Sequence, residues 1–163
     1  MRASEPTVRA AILADGRDLA ALRWTWRVDE EGEQGLTRDE FDARFIDWFR
    51  DHRDSHVPFL AHVGDTAVGM AWLALIDRVP GPGAWLRLAG HVQSVYVLPD
   101  HRDRGIGSAL VTAVLGAAVD RGLDYAWVHP SQRSFPLYRR LGFRATDGVL
   151  EVDLRGHRRA RGR

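Results

Sequence analysis

Between positions 102 and 107 stand two arginines, an aspartate and two glycines, in the order Arg102-Asp103-Arg104-Gly105-Ile106-Gly107. Such a set can hold an anion. Glycine removes the Cβ that would keep a phosphate off the backbone, and the N–H groups of a following helical turn can then point at it. The helix macrodipole adds about half a positive charge at that end, and Arg102 and Arg104 add more. A plain turn before a helix would carry the same glycines, so the loop alone leaves both readings open. Other side chains could move protons: His91 is an imidazole that titrates in a useful range, His129 is a second imidazole, and Gln93 could only orient a water.

A strand and a helix must position that loop. Val92, Val95 and Val97, with Tyr96 and Leu98, form a β-branched and aromatic run that Pro99 and Asp100 end. Behind the loop, Ala109, Leu110, Ala113, Val114, Ala117 and Ala118 recur at helical spacing. The stretch lacks the G-x-x-x-x-G-K-[ST] of a P-loop and the G-x-G-x-x-G of a dinucleotide fold, and it lies past mid-chain. What remains, R-x-x-G-x-G after V-x-V-x-P, resembles motif A of the GNAT superfamily of acyl-CoA-dependent N-acyltransferases. Downstream, Pro136-Leu137-Tyr138-Arg139-Arg140-Leu141-Gly142-Phe143 resembles the family's P-L-Y-x-x-L-G-F segment. The resemblance covers nearly the whole chain and is specific from about Gly90 to Phe143.

The resemblance implies an α/β (α+β type) GNAT fold: a mixed, mostly antiparallel sheet flanked by helices and splayed open at the motif-A strand. It implies acetyl-CoA as cosubstrate, with Val95, Tyr96 and Val97 along the pantetheine arm. Arg102, Asp103, Arg104, Gly105, Ile106, Gly107 and Ser108 would hold the pyrophosphate. Tyr138 would protonate the departing thiolate. Ser131 stands where many relatives have an Asn on the pantetheine arm, and Ser134 where many have Ala, which puts the Ser131 contact in question. Many relatives carry a Glu base on the motif-A strand; here the nearby positions hold His91, Gln93 and Ser94, with His129 as the second imidazole. The backbone N–H of Val97 would stabilise the oxyanion. The first two helices form the acceptor wall in this fold. Trp24, Trp26 and Glu30 are the expected acceptor residues, in a stretch where Asp29, Glu31 and Glu33 add negative charge that could draw a cationic amine.

The chain in order reads β-α-α-β-β-β-α-β-α-β. Thr7 to Ile12 reads as a strand, and Asp15 or Asp18 caps a helix to about Val28. Residues 29–35 form an acidic, glycine-broken loop. Thr37 and Glu40 form a capping box that opens a second helix, with a core stripe of Phe41, Phe45, Trp48 and Phe49. Pro58 to Val63 and Ala67 to Ile76 pair as a hairpin around Gly64-Asp65. In the second of these strands, Met70, Trp72 and Ala74 face one way, and Ala71, Leu73 and Leu75 the other. Pro80 to Gly83 turn, and Trp85 to Ala89 lead into the motif-A strand from Gly90. A helix from Ser108 to Arg121 stops at Gly122. Tyr125 to His129 is a strand, Ser134 to Leu141 a short helix and Val149 to Leu154 a last strand. Residues 1–154 are expected to form a single domain, and 155–163 a basic, disordered tail.

Composition bounds the function. The 163 residues include no cysteine, so a thiolate nucleophile, a disulfide and a cysteine metal site are all out. That favours direct attack in a ternary complex over a covalent acyl-enzyme. All 23 basic residues are arginine and the formal charge is +1, which singles out no nucleic-acid partner. Of the seven histidines, His52 and His56 stand four apart, but in a sequence that reads as a frayed, solvated helix end with no carboxylate sharing a helix face, and no metal is expected. No stretch reaches membrane-span length, the amino terminus has no signal-peptide core, and a cytoplasmic protein is expected. The reading is an N-acetyltransferase acting on a primary amine, either a small molecule or a protein N-terminus, with a homodimer possible. A non-catalytic acyl-CoA-binding regulator and an acyltransferase acting on tRNA-linked amines are the alternatives.

Overall fold

The computed structural model describes residues 5–149 and 151. Its elements run β1 (Thr7–Ala10), α1 (Gly16–Trp24), α2 (Arg38–Asp51), β2 (His56–Val63), β3 (Thr66–Asp77), β4 (Leu88–Val97), α3 (Ile106–Asp120), β5 (Tyr125–Val128) and α4 (Phe135–Arg140). The strands form one sheet in the order β1-β2-β3-β4-β5, antiparallel except for the parallel β4–β5 pair. Helices cover both faces, as the resemblance implies. Among the described residues no helix is long and apolar enough to cross a membrane.

Alternation along the strands builds two cores. Ala71, Leu73 and Val92 face α3, which contributes Ile106, Leu110, Val111 and Val114. Leu60, Met70, Trp72 and Tyr96 face α1 and α2, which contribute Leu19, Leu22 and Phe49. The side-chain period of two thus sorts β3 as its sequence indicates. The capping box also forms: the Thr37 side chain accepts from Glu40 N–H, and the Glu40 carboxylate accepts from Thr37 N–H at 2.9 Å. A Cβ on Gly90 would stand 2.7 Å from both Leu73 and Leu123 side-chain carbons, so any larger residue there would have to displace both leucines.

Several boundaries differ from expectation. The first strand stops at Ala10, because Asp15 accepts from Ile12 N–H and from Arg9, turning the chain into the helix early. α1 ends at Trp24, and a wider π turn over Thr25–Glu30 carries the chain past Val28 into the acidic stretch. α3 starts at Ile106, two residues before Ser108. The aromatic stripe of α2 is only partly core. Phe49 is buried, whereas Trp48 stays exposed and stacks on His52. Trp85 and Leu86 lie outside any strand and are exposed. The expected last strand, Val149 to Leu154, lies mostly outside the described residues, and 155–163 wholly so.

Two features of β4 open the sheet near its end. Its ladder with β3 shifts register between Met70 and Trp72, at the bulge formed by Ser94, whose φ is +50°. Pairing with β5 ends at Val92–Val128, although β4 runs on to Val97. The two parallel strands therefore part at the bulge.

Candidate functional site

The parting strands open a cleft of about 660 Å³ between the end of β4, the start of α3 and α4. An antiparallel ladder alternates the side to which successive backbone groups point. Leu98 N–H bonds the Val68 carbonyl of the β3 side, so the N–H of Val97 faces the other way, toward the gap. The Val97 carbonyl points there too, and it accepts from Arg102 Nε at 2.8 Å. Val95, Tyr96 and Val97 all line the cleft.

The loop between β4 and α3 has the geometry of an anion cradle. Asp103 (φ +59°) and Gly105 (φ +78°) are both left-handed, so the chain coils back and collects its N–H groups. Gly105 caps α3 with no side-chain hydrogen bond, which leaves the first-turn N–H groups of Ile106, Gly107 and Ser108 without a side-chain acceptor. A Cβ on Gly107 would come within 3.1 Å of the Leu137 side chain, crowding the cleft's far wall. Arg102, Asp103, Gly105, Ile106, Gly107 and Ser108 line the cleft, and so does Ser131. Arg104 is exposed and does not. His101 Nδ1 is buried at this wall with no partner among the described residues. The chemistry of this donor set fits a pyrophosphate.

Two cations in the cleft escaped the sequence reading. Arg133 and Arg140 both line it, Arg140 one helical turn past Pro136 and Leu137 on the same side of α4. That spacing, within a proline-started six-residue helix, was the available signal. The charge of Arg133 helps hold the Glu30 carboxyl low.

The α1–α2 connection closes the cleft from the other face of the sheet. Trp26 stacks flat on Tyr96, centroids 5.5 Å apart and planes 6° from parallel. Glu30 accepts from the Tyr96 hydroxyl and from Arg102 Nη2 at 2.9 and 3.1 Å. Burial works to raise the Glu30 pKa, but the Tyr96 and Arg102 donors outweigh it and hold the carboxyl below its ordinary range. Burial and Glu30 push the Tyr96 phenol well above its usual value. Glu31 accepts from Trp26 Nε1 at 2.7 Å and from Arg27, and Glu33 accepts from Arg27 Nε at 2.6 Å. Trp24 is turned aside, packed on Phe41 under Arg38. Trp26 and Glu30 thus reach the cleft, Trp24 does not, and the charges of Glu30, Glu31 and Glu33 are paired within the protein.

None of the proton-transfer candidates lines the cleft. Tyr138 is buried in the α3-side core, against which Val95 and Val97 also pack. Its ring meets Phe143 edge-on at 5.3 Å, and burial pushes its pKa up to about 12. It lines not the cleft but a neighbouring groove of about 930 Å³ along β5, which also takes in Trp127 and His129. His91 lies on the front of β4, stacked on Trp127 at 5.0 Å and 8°. Gln93 Nε2 stands 2.9 Å from its Nδ1, and His129 meets it edge-on at 5.2 Å. Burial, with help from the His129 charge, holds the His91 pKa below its ordinary value. Ser131 Oγ and Ser134 Oγ lie 3.0 Å apart at the start of α4. Among the described residues no group of three or more His, Asp or Glu side chains is placed to hold a metal ion.

Comparison with known proteins places this geometry. A glucosamine 6-phosphate N-acetyltransferase of Trypanosoma brucei brucei is 34% identical over 87 residues, covering 53% of this chain and 57% of that one. A mycothiol acetyltransferase of Clavibacter michiganensis subsp. michiganensis (strain NCPPB 382) is 40% identical over 131 residues, covering 76% of this chain and 37% of that one. The matched stretches thus span less than two thirds of these relatives' own lengths. Among solved structures, a Clostridium acetobutylicum protein described as a predicted acetyltransferase with acetyl-CoA superposes with a TM-score of 0.77 at 23% identity, over 94% of this chain and 99% of that one. A GCN5-related N-acetyltransferase from Ralstonia eutropha JMP134 gives 0.70 at 26%, over 91% and 99%. The model of the acetyltransferase (GNAT) family matches residues 19–143, the stretch that holds most of α1, the bulged strand, the cradle and α4. The chain belongs to the acetyltransferase (GNAT) family.

Proposed function

We propose that the protein transfers an acetyl group from acetyl-CoA to a primary amine by direct attack in a ternary complex. The observation that carries this is the parting of β4 and β5 directly above an uncapped, left-handed cradle at the start of α3. Acetyl-CoA supplies an acyl thioester. The cradle N–H groups, with Arg133 and Arg140, bind the pyrophosphate, and Val95 and Val97 bind the pantetheine amides through the gap. Val97 N–H donates to the oxyanion that forms when the amine attacks. His91, held neutral at physiological pH, takes a proton from the acceptor ammonium and so frees the amine lone pair for attack. As placed, the Gln93 amide nitrogen donates to Nδ1 and puts the neutral ring's proton on Nε2; turning the amide over, its oxygen toward Nδ1, would move that proton and leave Nε2 basic. To return a proton to the departing thiolate, Tyr138, protonated at every working pH, must reach it from the neighbouring groove through the gap between β4 and β5. Trp26 and Glu30 border the acceptor.

The relatives' names include two small molecules, glucosamine 6-phosphate and mycothiol, which supports a small-molecule acceptor over a protein one. The test is the melting temperature with and without acetyl-CoA, followed by free-CoA release in an amine screen. Acetyl-CoA at about 100 times its dissociation constant stabilises the protein by about 2.7 kcal/mol. Tyr138→Phe keeps that shift and lowers turnover. A shift with no turnover for any amine would leave a cofactor-binding regulator instead.

A further inference from the structure

Among the described residues, Arg23 beside the α1–α2 connection has no ion-pair partner. Arg23, in the last turn of α1, is half-buried. Its Nη1 donates to the Ser94 hydroxyl at 3.1 Å, and its guanidinium lies over the Trp26 ring, 5.1 Å from the centroid. Among the described residues no carboxylate stands within ion-pair distance of it, because Glu31 and Glu33 are held by Arg27 and Glu30 by Arg102. A guanidinium has five N–H donors. Arg23 uses one, on a neutral hydroxyl.

That arrangement is unfavourable in the free protein. Burial disfavours the charge, Arg27 repels it, and Glu33 and Glu31 offset this only from a distance. A desolvated cation without a counter-ion normally acquires one or is replaced. The position is informative too. Ser94 is the left-handed residue of the β4 bulge, immediately before Val95. The head of Arg23 therefore sits in front of the strand at the point where β4 and β5 part.

We propose that Arg23, with the Ser94 hydroxyl, binds an anionic group on the acceptor, so that the substrate is an amine which also carries a carboxylate or a phosphate. This rests on the acyl-transfer reading of the cleft. The planar fork of arginine suits either group, both of which accept two parallel hydrogen bonds. The electrostatics expected of this wall are thereby inverted. Glu30, Glu31 and Glu33 are held in internal pairs, and the charge in front of Ser94 left for a ligand is that of Arg23.

Two matched pairs of acceptors test it with the full chain and acetyl-CoA: glucosamine 6-phosphate against glucosamine, and an α-amino acid against its amide. In one pair the anionic member has the higher kcat/KM, by roughly ten- to a hundredfold, the range of a hydrogen bond to a charged group. Arg23→Met brings that ratio close to one, mainly through KM, and Arg23→Lys restores part of it. Which pair responds tells phosphate from carboxylate. A second readout needs no turnover: with CoA present, the anionic member raises the melting temperature of the native protein and not that of Arg23→Met. The acetyl-CoA shift, kept in both variants, shows that they are folded. Equal kcat/KM within both pairs, or a preference that survives Arg23→Met, overturns the proposal while leaving acyl transfer standing. No acetyl-CoA shift and no turnover with any amine overturns the acyl-transfer reading instead.

Discussion

At the α3 wall of the cleft, polar groups wait without partners: the first turn of the helix has no side-chain cap, and His101 Nδ1 is buried alone. At the α1–α2 wall they are taken up by one another, Glu30 with Tyr96 and Arg102, Glu31 and Glu33 with Arg27. The first wall is made of backbone, and its donors are fixed by local φ and ψ values. The second is made of long side chains, and what it offers a ligand depends on which pairs form. Cofactor affinity should therefore answer to the backbone of one wall, while chemistry and acceptor choice answer to side chains in front of β4.

The largest effect expected on that division is His91→Ala, which should lower kcat by roughly two to four orders of magnitude and leave the acetyl-CoA thermal shift intact. The pH profile sharpens it. Transfer needs neutral His91, so kcat/KM falls as pH drops through its pKa. Burial and His129 place that pKa below the ordinary 6.5, so the acid limb lies below pH 6.5 and the profile is flat through neutrality. The variant should lose the limb along with the rate. A limb that persists in His91→Ala would move the base to His129, its edge-on neighbour.

Next comes Gly107→Asp, aimed at the other wall. It adds a carboxylate where an anion is to bind, and its Cβ presses on Leu137 at 3.1 Å. Acetyl-CoA affinity should fall by roughly a hundredfold or more, measured by titration calorimetry. Because Gly107 is not left-handed, backbone strain does not confuse the result as it would at Gly105. Unchanged affinity would mean that the cradle is only a turn.

The same division decides how much could be read from the sequence. The cradle was legible because its signal is local: glycines at 105 and 107, no Ser, Thr, Asp or Asn at the cap, and an apolar helical period behind. β3 was legible because its alternation serves two buried faces. The α1–α2 wall was not. The acidic residues read as free charge, yet Glu30 meets Tyr96 and Arg102, 66 and 72 positions away, and nothing local announces that. The partial exposure of the α2 stripe had the same origin: Trp48 finds His52 and His56 where the spacing suggested core. The placement of Tyr138 depended on how a six-residue helix is rotated, which a motif cannot specify.

Glu30→Gln is the mildest test and bears on the boundary between the walls. The amide keeps an oxygen for the Tyr96 hydroxyl and for Arg102 but removes the charge. With the two side chains 29% and 24% exposed, the lost ion pair should lower stability by less than about 1 kcal/mol. The cofactor side should gain, because Arg102 no longer faces a carboxylate and one negative charge leaves the neighbourhood of the cradle. Acetyl-CoA affinity should rise severalfold, with the gain shrinking as salt screens the interaction. A fall in affinity would say something different about Arg102. Its Nε donates to the Val97 carbonyl while its Nη2 holds Glu30, so the pair could serve mainly to keep the end of β4 in place. In that case the side-chain wall sets the geometry of the backbone wall, and the two are one device.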